Sequence, residues 1–379
     1  MNVNRVAVST AFFCQGFAFA ALITRIPAIQ DQFNFSEGGL AMILAGVPIL
    51  AGVGSVLAGL LAVRFHSAVV LRVCALIVAG GLVAVGAATT AGSFPGLLGA
   101  LALMGFGLGS VDATMNMQGI GVQAQVGRSV MASFYAWWSL ATILGAVAAS
   151  VAAATSLTLV AFFGIIAVVL IPVGLIASTR FVRSHEADEA APDPLAASAS
   201  VPWRPLLVFG FAVVLAFIID SSVSNWSALD LTDVLGATES VAALAYAAYA
   251  LFMLIGRTFA DHLVGRRGVQ WLITAGGLLA AVGLLVVAFA PTAVIAIAGF
   301  AIVGLGISPV LPMAFVAASH HDPRHTGIAV ARVNVGNYIG FVIGAPLVGV
   351  IGEFSSLRVG FAVLVAAALG IALMARSFD

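Results

Sequence analysis

Four ionisable side chains lie inside long apolar stretches of this 379-residue chain: Arg25 and Asp112 in the first half, Asp220 and Arg332 in the second. A charge at the centre of a bilayer costs about 2.5 to 3.5 kcal/mol on insertion scales, so such residues line a cavity, pair, or carry protons and ions. A carboxylate in a low-dielectric surrounding has its pKa raised, and a nearby guanidinium lowers it again. Asp112 and Asp220 are therefore candidate proton carriers. Asp112 is the first choice, because Asn116 stands one helical turn away on the same face. By helix rise, Asp112 lies about 12 Å and Arg332 about 9 Å from one side of the membrane, with Asp220 about 12 Å and Arg25 about 6 Å from the other. The expected pairs are Asp112–Arg332 and Asp220–Arg25; Arg25 could instead snorkel to headgroups.

Uncharged polar and aromatic groups accompany these charges. Gln15, Asn116, Asn225, Asn334, Asn337 and Tyr338 sit in the same apolar stretches and are expected to border a hydrated central cavity. Tyr135, Trp138, Tyr246 and Tyr249 could stack on a ligand or serve as ordinary packing and interfacial anchors. The mixture suits a small polar or amphipathic solute. There is no H-E-x-x-H, no G-x-S-x-G and no phosphate-cradling loop, so an enzyme is not expected. No cofactor and no metal are expected either: His320-His321-Asp322 with His325 reads as a solvated loop, and no cluster of oxygen ligands suggests a sodium site. Cys14 and Cys74 are far apart and read as packing residues.

The elements that must position these groups are membrane helices. The chain is 62% hydrophobic and 8% charged, with mean hydropathy +1.17, which lies outside the range of soluble domains. Its basic residues are all Arg, and its formal net charge of zero suggests no nucleic-acid partner. Twelve stretches are long enough to cross roughly 30 Å of hydrocarbon: 6–29, 39–63, 68–90, 96–120, 129–154 and 157–179, then 204–228, 238–260, 268–289, 292–318, 326–350 and 355–376. The expected fold is all-α and polytopic, with an N-terminal six-helix bundle over 1–179, a linker over 180–203 and a C-terminal six-helix bundle over 204–379. The first stretch continues too far to be a secretory signal and reads as a retained helix. Arg64, Arg72, Arg128, Arg180, Arg183, Arg266, Arg267 and Arg324 accumulate on one set of boundaries. Short cytoplasmic loops hold excess positive charge, so both termini and the linker are expected in the cytoplasm.

An internal repeat divides the chain the same way. Gly105, Gly107 and Gly109 in the fourth stretch are answered about 200 residues later by Gly304 and Gly306 in the tenth. Six plus six spans, an acidic linker and a basic turn after spans two and eight resemble the major facilitator superfamily, whose conserved loop reads roughly G-x-x-x-D-R-x-G-R-R. Gly256-Arg257, Asp261 and Gly265-Arg266-Arg267 are similar to its second copy, whereas the first copy departs from it with Val63 in place of the acid and His66 in place of the second glycine. Thr24 to Ile29, Asp112 to Gly119 and Asn225 to Leu229 look like segments of the YbjJ-like bacterial branch, in which an acid is expected where Asn225 stands.

The resemblance implies a monomeric carrier in the bacterial inner membrane whose halves rock about a midplane site. On that scheme Asp112–Arg332 and Asp220–Arg25 become inner and outer gates, each forming as the other breaks. Proton-coupled movement of a small solute is the expected activity. Proton-driven efflux of an amphipathic compound, or a sensor or scaffold role on the same fold, are the alternatives.

Overall fold

The computed structural model describes residues 3–35, 37–155, 157–182 and 194–378, and every element among them is helical. In chain order these are α1 (Val3–Thr24), α2 (Ile26–Phe33), α3 (Glu37–Phe65), α4 (Ser67–Thr90), α5 (Phe94–Val126), α6 (Met131–Ala154), α7 (Leu159–Ser178) and α8 (Pro194–Ser200). Then follow α9 (Trp203–Leu229), a π-helical turn (Asp230–Val234), α10 (Glu239–Arg267), α11 (Val269–Ala288), α12 (Ala293–Ile307), α13 (Val310–Ser319), α14 (Ile328–Phe354), α15 (Leu357–Met374) and a closing 3-10 turn. Ser36 and the linker residues Glu186, Asp188, Glu189 and Asp193 lie outside the described residues.

Among the described residues twelve helical spans are long and apolar enough to cross a membrane, and the described chain is that of an all-helical, multi-pass membrane protein. Several differ from the expected stretches. The first breaks at Arg25, which adopts a non-helical conformation ahead of Pro27 at the start of α2; proline cannot be accommodated inside a helix without losing a hydrogen bond. The tenth breaks at Ser308 and Pro309, between α12 and α13. The eighth runs on to Arg267, so Arg257 and Asp261, expected near a loop, stand on helix α10. Gly268, at φ 83°, ends it.

The described chain forms two compact units. One comprises 1–127, 137–201 and 322–335; the other comprises 128–136, 202–321 and 336–379. Helices α6 and α14 each begin in one unit and continue in the other.

Within each unit the packing repeats. In the first, α5 packs on α3 and α4, and α7 on α4; in the second, α12 packs on α10 and α11, and α15 on α11. The repeated glycines explain how. A Cβ on Gly105 would sit 2.7 Å from the Val47 carbonyl oxygen of α3, and one on Gly107 would press on Val78 of α4. Correspondingly, a Cβ on Gly304 would collide with the Tyr249 carbonyl of α10, and one on Gly306 with the backbone of α11 at Ala280. Small residues let membrane helices approach backbone to backbone, where dispersion replaces a hydrophobic driving force.

The stripe Gly336, Gly340 and Gly344 on α14 does the same against α9, facing the carbonyls of Gly210, Val214 and Ile218. Beside it Ser221 Oγ donates to the Phe341 carbonyl at 2.8 Å, Ser222 Oγ to the Gly344 carbonyl at 2.9 Å and Trp226 Nε1 to the Ala345 carbonyl at 2.7 Å. Both serines are buried and fasten the two helices.

Candidate functional site

In the first unit the site is a three-residue relay. Gln15 on α1 is buried, and its Nε2 donates to Asp112 Oδ1 on α5 at 2.7 Å. Its Oε1 accepts from Trp138 Nε1 on α6. A glutamine amide carries a donor and an acceptor on one planar group, so it can orient a carboxylate with one end while being oriented itself by the other. The close approach of α1 to α6 makes this possible: a Cβ on Gly16 would lie 2.7 Å from the Trp138 carbonyl oxygen. Asn116 is buried and donates to the Asp112 backbone carbonyl at 2.8 Å, so it shares the helix face as expected while binding the main chain. Asp112 itself is half-buried.

The second unit holds a carboxylate in a different setting. Tyr249 on α10 is buried and its hydroxyl donates to Asp220 Oδ1 on α9. Tyr246, three residues earlier on the same helix face, stacks on the Tyr249 ring with centroids 5.9 Å apart and remains 46% exposed. Farther along the stripe, the buried guanidinium of Arg257 acts electrostatically on Asp220 and stands 5.3 Å from the ring centroid of Tyr135. Tyr135 in turn stacks on Phe315. Arg257 therefore belongs to the Asp220 site as well as to the loop motif. Its spacing of four from Asp261, which turns both onto one helix face, was the signal available in the sequence.

The other residues of the loop motif lie on α10. Asp261 accepts from Ser129 Oγ at 2.6 Å and, through both carboxylate oxygens, from the backbone N–H groups of Ala132 (3.2 Å) and Ser133 (2.8 Å) at the start of α6. A carboxylate there satisfies amides that have no intrahelical partner and meets the positive end of the helix dipole. Gly256 presses on Ser308, and Arg266 and Arg267 are exposed, with Arg267 over the Trp271 ring at 5.1 Å. Where Val63 replaces the first-copy acid, the start of α14 is organised locally. Thr326 Oγ1 donates to Asp322 at 3.0 Å and accepts from the Ile328 N–H at 3.4 Å. Asp322 is thus buried, not solvated as the loop reading expected.

Other expected residues fall elsewhere. Arg332 donates through Nη1 to the Val201 carbonyl at 2.6 Å and through Nη2 to the Ser198 carbonyl and hydroxyl at 2.7 and 2.8 Å, holding the C-terminal end of α8. Asn334 is buried and donates to Ser55 Oγ at 3.1 Å, while Ser55 donates to the Ala331 carbonyl at 3.0 Å. Asn225 is exposed and donates to the Ser221 carbonyl at 2.7 Å; Asn337 is buried and Tyr338 half-buried on α14. The Nε of Arg25 is buried without a hydrogen-bond partner among the described residues.

One group escaped sequence reasoning. Asp230 is 0% exposed at the head of the π-helical turn, and neither carboxylate oxygen has a hydrogen-bond partner among the described residues. Ser227 Oγ, one turn earlier, and Arg358 Nε, on α15, are buried and likewise without one. Arg358 interacts electrostatically with Asp230 and donates through Nη2 to the Ala290 carbonyl at 2.6 Å. The wider π turn rotates Asp230 inward.

A multi-pass helical protein with repeated packing and a carboxylate network in each unit is defined by these observations. The solved structures it resembles share its fold along the whole chain. They include the transporter FucP in the outward conformation (TM-score 0.86, 15% identity, covering 99% of this chain and 98% of that one) and the human organic anion transporter MFSD10 (TM-score 0.78, 13% identity, covering 100% and 99%). Residues 209–378 match the family model of the Major Facilitator Superfamily. The chain is 29% identical over 359 residues to an uncharacterised transporter, y4wD, of Sinorhizobium fredii, covering 93% of this chain and 92% of that protein. It is 28% identical over 380 residues to an uncharacterised MFS-type transporter of Yersinia pestis, covering 99% and 95%. The chain thus shares the fold of these transporters, and its second half is similar to the Major Facilitator Superfamily.

Proposed function

We propose that this protein is a secondary active transporter that moves a small polar or amphipathic solute across the bacterial inner membrane by alternating access, coupled to protons. The observation that carries the reading is the presence, inside the spans of each unit, of one carboxylate held by a side chain from a neighbouring helix: Asp112 by Gln15, and Asp220 by Tyr249. A carboxylate so placed can accept and release a proton while its donor re-orients, whereas a merely structural acid is better served by a permanent ion pair. Trp138 and Tyr246 offer aromatic faces beside these acids, and Asn116, Asn225, Asn334, Asn337, Tyr135, Tyr249 and Tyr338 complete the polar set proposed to serve solute binding. The fucose:proton symporter FucP shares the fold and supports the plausibility of a sugar-like solute and a proton.

Both termini face the cytoplasm in this reading, because arginine is concentrated at those boundaries. Asp112–Arg332 and Asp220–Arg25 serve as inner and outer gates. Distances across each pair in trapped states test that role, since a separation that never changes removes a pair from it. Coupling is tested in proteoliposomes loaded with a pH-sensitive dye: solute addition should move protons with wild type and not with Asp112→Asn or Asp220→Asn. Undiminished proton movement in both variants would refute the assignment.

A further inference from the structure

The first unit carries a crevice that none of these roles uses. It runs between α1, α4 and α7, with Val111 of α5 at its floor. Its walls are apolar along most of their length. The exceptions are Arg72 and Ser178 at one end and Cys14 and Gln15 deep in it. From Arg72 to Leu82 the α4 wall spans ten residues, about 15 Å at 1.5 Å per residue, which is half of a hydrocarbon core roughly 30 Å thick. The crevice is one leaflet deep.

Its surroundings say which medium it opens on. Leu76 and Leu175 line it and are themselves exposed, and Ile176 beside them is 71% exposed. Such a surface is solvated by hydrocarbon, not water. At its end Arg72 is exposed, with Nε donating to Ser178 Oγ at 2.9 Å and Nη2 to the Ser178 carbonyl at 3.2 Å. Those bonds fix the guanidinium at the C-terminal end of α7, and Nη1 makes none among the described residues. By the distribution of arginine, this end is the cytoplasmic one. Gly174, in the crevice wall, leaves its width open: a Cβ there would meet nothing within 4 Å.

We infer that this crevice is a binding site for an anionic phospholipid of the inner leaflet, one acyl chain lying between α1, α4 and α7 and the headgroup phosphate accepting from Arg72. A fixed guanidinium with an unused edge suits a phosphate, and a basic site between helices on the cytoplasmic side is where an anionic headgroup is recognised. The end of the chain reaches Cys14 and Gln15, so the bound lipid packs against the back of the residue that holds Asp112.

Native mass spectrometry of the purified protein tests this, after exchange into detergent containing equal phosphatidylglycerol and phosphatidylethanolamine. Wild type should retain phosphatidylglycerol in preference to phosphatidylethanolamine. Arg72→Ala, which removes the phosphate donor, and Gly174→Leu, which fills the groove from a position with room for it, should each retain at least fivefold less. Monodispersity and an unchanged melting temperature establish that both variants are folded. Equal retention of the two lipids by wild type would overturn the headgroup assignment. Undiminished retention by Gly174→Leu would overturn the crevice, leaving only a surface attraction to Arg72, and undiminished retention by Arg72→Ala would overturn the site as a whole.

Discussion

Gln15 is the residue on which most depends for its size. Replacing it with leucine leaves the Trp138 indole N–H without its acceptor and removes a donor from Asp112, in a setting where an unsatisfied buried group costs about 1–3 kcal/mol. The expected outcome is a lowered melting temperature of the detergent-purified protein together with lost transport, whereas Gln15→Glu keeps the acceptor for Trp138 but sets two acids face to face. Melting curves of the two variants should differ in their response to pH, the glutamate variant recovering stability as pH falls and its acids neutralise. Asp230 and Arg358 form the second residue-scale case. Asp230 is buried with Arg358 acting on it electrostatically, and residues coupled this way lose less together than the sum of their separate losses. A double-mutant cycle of Asp230→Ala and Arg358→Ala, read by denaturant unfolding, should therefore show strong coupling; additive losses would dissociate the two.

At the scale of elements, the glycines determine helix spacing. Gly304→Leu must push α12 from α10 at the Tyr249 backbone, and because Tyr249 holds Asp220, the change should damage both folding yield and transport. Overpacking typically costs about 1–3 kcal/mol, and a larger loss is expected where backbone, not a flexible side chain, is the obstacle. Arg332 is an element-scale residue too: its three bonds end α8, at the negative pole of that short helix. Arg332→Ala should leave α8 more accessible to limited proteolysis between Pro194 and Val201, and protection equal to wild type would contradict this role.

Much of this level was legible in sequence, since span number, glycine repeat and basic turn all follow from hydropathy and spacing. Asp230 was not, because hydropathy locates a charge along the membrane normal but not the direction in which it points. A π-helical turn decided that direction, and it leaves no periodic trace. Arg257 lay between these cases: its spacing from Asp261 was readable, but its meeting with Asp220 required α9 and α10 to be packed first.

For the molecule as a whole, the repeated packing of α3, α4, α5 and α7 by α10, α11, α12 and α15 is the common frame, and the two carboxylate networks are what differ within it. Asp112 is held by an amide and Asp220 by a phenol with a guanidinium acting on it. The two acids thus stand in unlike surroundings, and on the proposed reading both take part in proton coupling. The measurement that tests this most directly is a thermal-shift screen of the purified protein against sugars, amino acids, nucleosides and amphipathic drugs at several pH values, with Asp112→Asn and Asp220→Asn beside wild type. Binding stabilises by mass action. A proton-coupled carrier predicts a solute whose stabilisation of wild type depends on pH and loses that dependence in at least one variant; a solute that stabilises all three proteins equally at every pH would contradict it.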